Sequence, residues 1–477
     1  MKTPVLYFLG LFLKIFSALL IVPLIVGRIY GETFAGLESY IYASFAAIIL
    51  GFVFMHLGVK RQPNLVESMF VAFSAWIFAV AIGAIPFVYI LGMPYIDAYF
   101  EAMSGFTTGG ITLITSLELV PKSLLFFRAF MQWIGGLGIL TLFIALISEN
   151  GTVASRLFSA ESHKAENTRT HPNIVNATTA LWKVYIILTI LLASILVLLD
   201  VSVFDAITHS FTTISTGGFS NYTDSIAHFN SIFVEAVIAV FMLVSGINFI
   251  LIYSALEGNI LRLLKDFEAR LYACIFAIAS FVLLIDLTAN GTGFFNALRL
   301  ALFYSASILS TTGFALTEMS FFPEVSILLF LCLLLVGGSV GSTSGGIKVL
   351  RFGTFLKLVS REVKRMDAPT RALDSVVINK KIVDNKNILN AATIMFLWLL
   401  TILLGSFVTL ICTDLSIFTA IKNMISVVGT TGILFISQAD LIALPIAVKL
   451  TYIFSMLAGR LEIVPLLAIL KLKLTKK

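Results

Sequence analysis

Apolar runs long enough to cross a lipid bilayer recur from one end of this chain to the other. They fall at roughly 5–27, 37–59, 66–91, 123–148, 178–200, 231–256, 271–290, 324–347, 388–412 and 442–470, which makes ten. A membrane-crossing helix needs about 20 mostly apolar residues, so ten of them would absorb on the order of 200. The composition leaves little else to build. Of 477 residues 59% are hydrophobic and 12% charged, about half the charged share of a soluble domain. Too little polar surface remains for a cytosolic enzyme or a disordered scaffold. The apolar residues come in runs rather than alternating, which favours helices over a β-barrel. Cys274, Cys332 and Cys412 all sit inside apolar runs without a C-x-x-C pattern. They are expected to be buried free thiols, which excludes a disulfide-stapled module.

Between the long runs lie four shorter apolar segments, at about 95–106, 203–214, 294–309 and 414–427. These are too short to span and read as re-entrant or interfacial. If the ten spans alternate and each short segment returns to the side it left, 24 of the 32 Lys and Arg residues share one face. The positive-inside rule makes that face cytoplasmic and puts both termini there. The basic loop 348–371 belongs to it and would meet anionic lipid or a cytoplasmic partner. The other face carries Asp97, Glu101, Glu118, Asp200, Asp205, Asp224, Glu318, Glu324, Asp414 and Asp440, a field that concentrates cations. The net charge of +6 is therefore a topology signal rather than a nucleic-acid footprint.

Each short segment ends in a run of small polar residues closed by glycine. The four runs finish Thr107-Thr108-Gly109-Gly110, Ser215-Thr216-Gly217-Gly218, Ser310-Thr311-Thr312-Gly313 and Gly429-Thr430-Thr431-Gly432. Extended three residues back, they align without gaps, and each sits in the order span, short helix, loop, span. Non-helical backbone at membrane depth is tolerated only where protein buries it or it lines a water-filled cavity. Glycine permits left-handed backbone, so such a loop can turn its carbonyl oxygens toward an axis. Four loops then replace the hydration shell of a dehydrated cation. The short helices would aim their negative ends at it, and threonine hydroxyls would add oxygens or brace the loops. Neutral oxygens suit an alkali cation; a divalent ion calls for more carboxylates.

The span 324–347 contains Gly337-Gly338-Ser339-Val340-Gly341-Ser342-Thr343-Ser344-Gly345-Gly346, five glycines and four hydroxyl residues in ten positions. Each glycine costs about 1 kcal/mol relative to alanine in a helix, so this span is expected to break mid-membrane. It is not a Walker A loop, because Lys348 follows Ile347 instead of standing between glycine and Ser/Thr. Arg460 lies deep in the last apolar run, where a central arginine costs about 2.5–3.5 kcal/mol, so it must face a cavity or a partner. Glu462 is two residues on, off the same helix face, so a direct pair is not expected. Lys14 is a further intramembrane charge, expected to snorkel. His56, His163, His171, His209 and His228 form no ligand pattern; His209 is expected to be a hydrogen-bonded structural residue.

At these residues the sequence resembles the Trk/Ktr/HKT superfamily of potassium transporters, and within it the TrkH-type subunit. The matching blocks are FEAMSGFTTGGIT from Phe100, ALWKVY from Ala180, FDAITHSFTTISTGGFS from Phe204, GGSVGSTSGGIKVLR from Gly337, REVKR from Arg361 and SMLAGRLE from Ser455. The resemblance implies an all-α polytopic membrane protein. Four tandem span–pore helix–loop–span repeats would surround a pseudo-fourfold pore, preceded by an extra pair of transmembrane helices. The corresponding divisions are 1–61 for the extra pair, 62–160, 161–262, 263–371 with an intramembrane gating loop, and 372–477. It further implies that Gly110, Gly218, Gly313 and Gly432 are the four filter glycines. In the HKT branch serine at the first goes with sodium transport, so glycine at all four favours K⁺. Gly109, where the family often has threonine, and the divergent fourth loop are departures. Gly337, Gly338, Gly341, Gly345 and Gly346 would form a loop that closes the pore, and Arg460 would project beneath the filter and repel K⁺. A homodimer and a cytoplasmic nucleotide-binding regulatory ring of the TrkA/RCK type are implied as well.

The expectation is thus a non-enzymatic K⁺ uptake subunit of a prokaryotic plasma membrane. Membrane potential would drive it, no cofactor would be bound, and K⁺ would be its cargo. A Na⁺- or H⁺-coupled symporter of the same architecture is the alternative. An intramembrane lipid enzyme would need a catalytic constellation, which the sequence does not offer.

Overall fold

The computed structural model describes residues 3–138, 141, 174–366 and 375–463. The chain opens with α1 (Pro4–Leu19) and α2 (Ile21–Ile29), together one apolar span, and α3 (Phe34–Leu57). Helices α1 and α3 cross at two glycines. A Cβ on Gly10 would lie 2.5 Å from the Gly51 carbonyl oxygen, so small residues let the backbones touch, as membrane helices require. Lys14 sets its ammonium 4.3 Å over the ring of Phe52. The pair is tied to the rest of the chain where Glu32 accepts the Ser123 N–H at 2.8 Å.

Thereafter one pattern runs four times. The first unit has α4 (Leu65–Gly83) with α5 (Ile85–Leu91), the short α6 (Tyr95–Phe106), a loop and α7 (Lys122–Leu137). The second has α8 (Ile174–Leu198), the short α9 (Val203–Ile214), α10 (Ile232–Ser245) and α11 (Phe249–Leu256). After the six-residue α12 (Ile260–Lys265) come α13 (Phe267–Ala289), the short α14 (Phe294–Leu309) and α15 (Glu324–Val336). Helix α16 (Val349–Arg365) and a two-stranded hairpin, β1 (Val377–Ile378) and β2 (Lys381–Ile382), lead to the fourth unit. That unit has α17 (Asn385–Cys412), the short α18 (Ile417–Gly429), α19 (Gln438–Ala443) and α20 (Ile446–Arg460). Polar caps start several helices. Asn64 and Glu67 form a reciprocal capping box at α4, and Ser202, Asp266 and Ser416 accept backbone N–H groups at α9, α13 and α18.

The four short segments are helices, as expected. The long runs do not all cross in one piece. Among the described residues six helical stretches are long and apolar enough to span, or seven counting a bent pair. The second helix of each unit has only 13 to 16 residues, about 20–24 Å against a hydrocarbon core of about 30 Å. The expected break after Val336 is present, with Gly337 at φ 69°. Three more were not expected. The run 123–148 leaves the helix at Gly138, φ 99°. The run 231–256 bends by 105° between α10 and α11. The run 442–470 ends its helix at Arg460, followed by Glu462 and Ile463 at φ 54° and 63°. The stretch read as a basic loop at 348–371 is largely the helix α16; Arg371 lies outside the described residues.

Polar contacts join the second helix of each unit to the next short helix. Lys122 lies over Phe204, Glu235 binds Arg299 at 2.5 Å, Glu324 approaches Lys422 at 3.9 Å, and Lys449 binds Asp97 at 2.7 Å. The last contact returns to the first unit, so the four units close into a ring. Its outer wall is apolar: Phe45, Phe281, Phe295 and Ile411 are 63–86% exposed, which suits lipid rather than water. Two cysteines belong to that exterior. Cys274 and Cys332 are exposed and Cys412 is half-buried, all free thiols, which corrects the expectation of burial: apolar runs here have a lipid-facing side.

Candidate functional site

Each short helix ends the same way. The N–H groups of Gly109, Gly217, Thr312 and Thr431 reach back to the carbonyls of Ser104, Thr212, Ser307 and Ser426 at 2.7–3.2 Å. The residue before each of these is Thr108, Thr216, Thr311 or Thr430, with φ 56°, 52°, 58° and 52°. This is a helix stop of the Schellman type, whose left-handed position glycine normally fills. A β-branched residue there is strained, yet threonine takes it in all four units. Its hydroxyl helps in the first two, donating to the preceding carbonyl of Thr107 at 2.6 Å and of Ser215 at 2.7 Å. Elsewhere Ser310 and Thr312 share a 2.7 Å hydroxyl contact and Thr107 donates to Met103 O at 2.6 Å. The hydroxyls thus brace the loops.

Two residues further on, Gly110, Gly218, Gly313 and Gly432 have φ of 69–85°. They are half-buried, whereas the three residues before each are buried. Their surroundings form a cycle. A Cβ on Gly110 would lie 2.6 Å from the Gly217 carbonyl oxygen, and one on Gly432 would lie 3.1 Å from that of Gly109. One on Gly218 would strike the Thr312 carbonyl, and one on Gly313 that of Thr431. Every loop therefore abuts the next, and the runs 107–110, 215–218, 310–313 and 429–432 surround one axis. A cavity of about 220 Å³ opens on one side of this ring, lined by Gly110, Thr112, Thr223, Gly432 and Gln438 among others. At its rim Thr223 gives Glu118 a backbone N–H at 2.8 Å and a hydroxyl at 2.9 Å. The N–H bond foremost holds that carboxyl below its usual range. Burial, then the neighbouring Asp205, pushes the Tyr222 hydroxyl there up to about 12.

The glycine-rich segment fills the other side. Gly337, Gly341 and Gly346 have φ of 69°, 83° and 77°, so the helix stops and the chain folds back. Ile347 and Lys348 donate their N–H groups to Leu335 and Val336. Gly345 donates its N–H to the Thr311 hydroxyl at 2.6 Å, and a Cβ there would meet Gly429 and Thr430. A Cβ on Gly338 would lie 2.5 Å from Ser344 Oγ. The Thr343 hydroxyl donates to Ile214 O at 2.9 Å, at the end of α9. The loop thus lies directly against the ring of four runs. Arg460 extends a guanidinium across it, donating to Thr343 O at 2.8 Å, Gly135 O at 2.6 Å and Gly136 O. A cavity of about 40 Å³ lies between Arg460, Ser344, Gly345, Lys348 and Trp76. Glu462 pairs with Arg351.

Some contributors escaped the sequence reading. The break between α10 and α11 frees backbone groups, and the glycine-rich loop takes them up. Ser339 N–H binds Gly246 O at 2.8 Å, and Phe249 N–H binds Gly341 O at 3.2 Å. Asn248 caps α11 through Ile250 N–H at 2.9 Å, and the buried Glu268 accepts the Val340 N–H at 2.6 Å. Gly246-Ile247-Asn248 was the available signal: a lone glycine and a capping residue inside an apolar run.

The sequence and the overall fold are matched in known proteins. The TrkH family model, described as a cation transport protein, matches residues 37–476. This chain belongs to the TrkH family of cation transport proteins. It is 31% identical to the Trk system potassium uptake protein TrkH of Salmonella typhimurium, over 96% of each chain. It is also 31% identical to that of Vibrio parahaemolyticus, over 97% of this chain and 96% of that one. The crystal structure of the potassium transporter TrkH from Vibrio parahaemolyticus superposes with a TM-score of 0.84, covering 98% of both chains at 28% identity. A TrkH-family chain with this many apolar helices is a multi-pass membrane protein.

Proposed function

We propose that this chain takes K⁺ into the cell through the ring of loops, with the membrane potential as its driving force. The observation that carries the reading is the closed cycle in which each of Gly110, Gly218, Gly313 and Gly432 abuts a carbonyl of the next loop. Its support from relatives is that full-length matches include potassium uptake proteins. In this reading the carbonyls of residues 107–110, 215–218, 310–313 and 429–432 replace the hydration shell of the ion. The residues of the 337–346 loop, Gly337, Gly338, Gly341, Gly345 and Gly346 among them, form the gate with Arg460 beneath the filter.

The acidic face, with Glu118 and Asp224 at the mouth, is then external, and α16 lies on the cytoplasmic side of a prokaryotic plasma membrane, with both termini. A homodimer working with a nucleotide-binding regulator of the TrkA/RCK type belongs to the same reading, supported by the relatives being components of a named system. Purified protein in liposomes with an inside-negative potential should take up ⁸⁶Rb⁺ without Na⁺ or a pH gradient. Gly110→Ser should lower the K⁺/Na⁺ permeability ratio, because a Cβ there meets the Gly217 carbonyl at a strained φ. Flux that requires Na⁺ or a pH gradient would favour the coupled symporter, and an unchanged ratio would remove the filter assignment.

A further inference from the structure

Behind the four loops lies a second fourfold set that shares no residue type. The ninth residue before each filter glycine is Glu101, His209, Tyr304 or Asn423. All four are on the short helices α6, α9, α14 and α18, and all are 0–1% exposed. Each bonds the strand that leaves its own loop, two to four residues past the glycine. Glu101 accepts the Thr112 hydroxyl and the Leu113 N–H, both at 2.9 Å. Tyr304 accepts the N–H groups of Leu316 and Thr317 at 3.0 and 2.8 Å, and donates to Thr317 O at 2.7 Å. Asn423 accepts the Phe435 N–H at 2.8 Å. His209 places Nδ1 2.9 Å from Asp205 O, an acceptor only, so Nδ1 carries the proton and Nε2 of the neutral ring accepts from the Ser220 hydroxyl at 3.0 Å.

The physical need is common to the four units. A strand leaving the filter at membrane depth has backbone N–H groups that point away from the axis and must be paired. In three units the N–H three residues after the glycine finds its acceptor on the short helix; in the second Ser220 stands between, its hydroxyl accepting the N–H of Tyr222, four residues after the glycine, at 3.1 Å. The chemistry is a carboxylate, an imidazole, a phenol and an amide, so only position and role repeat. The first brace also couples two walls. Arg128 binds Glu101 at 3.0 Å and donates to Ser220 O of the second unit at 3.1 Å.

We infer that Glu101, His209, Tyr304 and Asn423 are the positioning residues of the filter. They fix the strand behind each glycine, and so the spacing of the carbonyl ring, without touching the ion. This rests on the filter reading above. The test uses the full-length protein in liposomes and reads the K⁺/Na⁺ permeability ratio, which the fraction of folded protein does not change. Tyr304→Phe keeps the ring and removes only the hydroxyl, the acceptor of two N–H groups and the donor to Thr317 O. It should lower the ratio roughly tenfold, and Asn423→Leu should lower it too. Tyr40→Phe, a buried phenol on α3 packed against Phe127, should leave it as it is. A wild-type ratio in both Tyr304→Phe and Asn423→Leu overturns the inference, as does an equal fall in Tyr40→Phe. If Gly110→Ser alone shifts the ratio, the braces fail and the filter stands; if Gly110→Ser does not shift it either, the filter reading falls and takes the braces with it.

Discussion

Arg460 joins three carbonyls from two distant parts of the chain. Its position in an apolar run showed only that the charge needed a partner, and a charge repelling K⁺ was the expected role. The structure adds a mechanical one. The guanidinium fork links Thr343 in the glycine-rich loop to Gly135 and Gly136 at the end of α7, and such charge-assisted bonds are about twice as strong as neutral ones. Arg460→Ala should therefore raise resting ⁸⁶Rb⁺ flux, by roughly tenfold or more for the loss of all three bonds. Arg460→Lys separates the two roles. Lysine keeps the charge but not the planar fork, so if the bridge holds the loop shut, Lys should leak nearly as much as Ala. A closed Lys variant beside a leaky Ala variant would return the role to charge alone. The Thr–Gly runs were legible because each loop needs the same backbone angles, and few residue types supply them. The residue nine positions earlier was legible only at His209, because a buried N–H donates to any oxygen or ring nitrogen within reach.

Short helices too brief to span stood out by length alone, and the structure has all four. The interruptions in the helices that follow were legible only where glycines crowd, at 337–346. The bend between α10 and α11 rests on one glycine and one asparagine, too little signal within a strongly apolar run. Its cause is tertiary. The Gly246 carbonyl and the Phe249 N–H, which a straight helix would pair internally, are paired instead with Ser339 and Gly341. The two broken helices complete one another, and the folded-back loop is seated in the gap of its neighbour. Asn248→Ala removes the cap of α11, worth about 1 kcal/mol, and the side chain that Gly341 packs against. The variant should reach the membrane in normal amount yet show raised resting ⁸⁶Rb⁺ flux, measured in the same liposomes. A flux equal to wild type would mean that the seat does not hold the loop.

Closure of the ring has a consequence for energetics. The four units meet in sequence order and the last returns to the first through Lys449 and Asp97, so the ring has a single axis, and the proposed function gives it one path with one filter. An ion moving alone along it carries one charge through the field, worth about 2.3 kcal/mol per 100 mV. At 1.4 kcal/mol per factor of ten, that limits accumulation to about fifty-fold at 100 mV. Coupling to one Na⁺ or H⁺ would move two charges per cycle. With no gradient of the coupling ion it would raise the limit to about 2,500-fold at the same voltage. The plateau of ⁸⁶Rb⁺ uptake, measured at several clamped potentials, thus counts the charges moved per ion. Uniport through a single ring predicts a plateau that rises tenfold per about 60 mV. A tenfold rise per about 30 mV would show a second charge in the cycle, and the path along the axis would then have to hold a coupling ion beside K⁺.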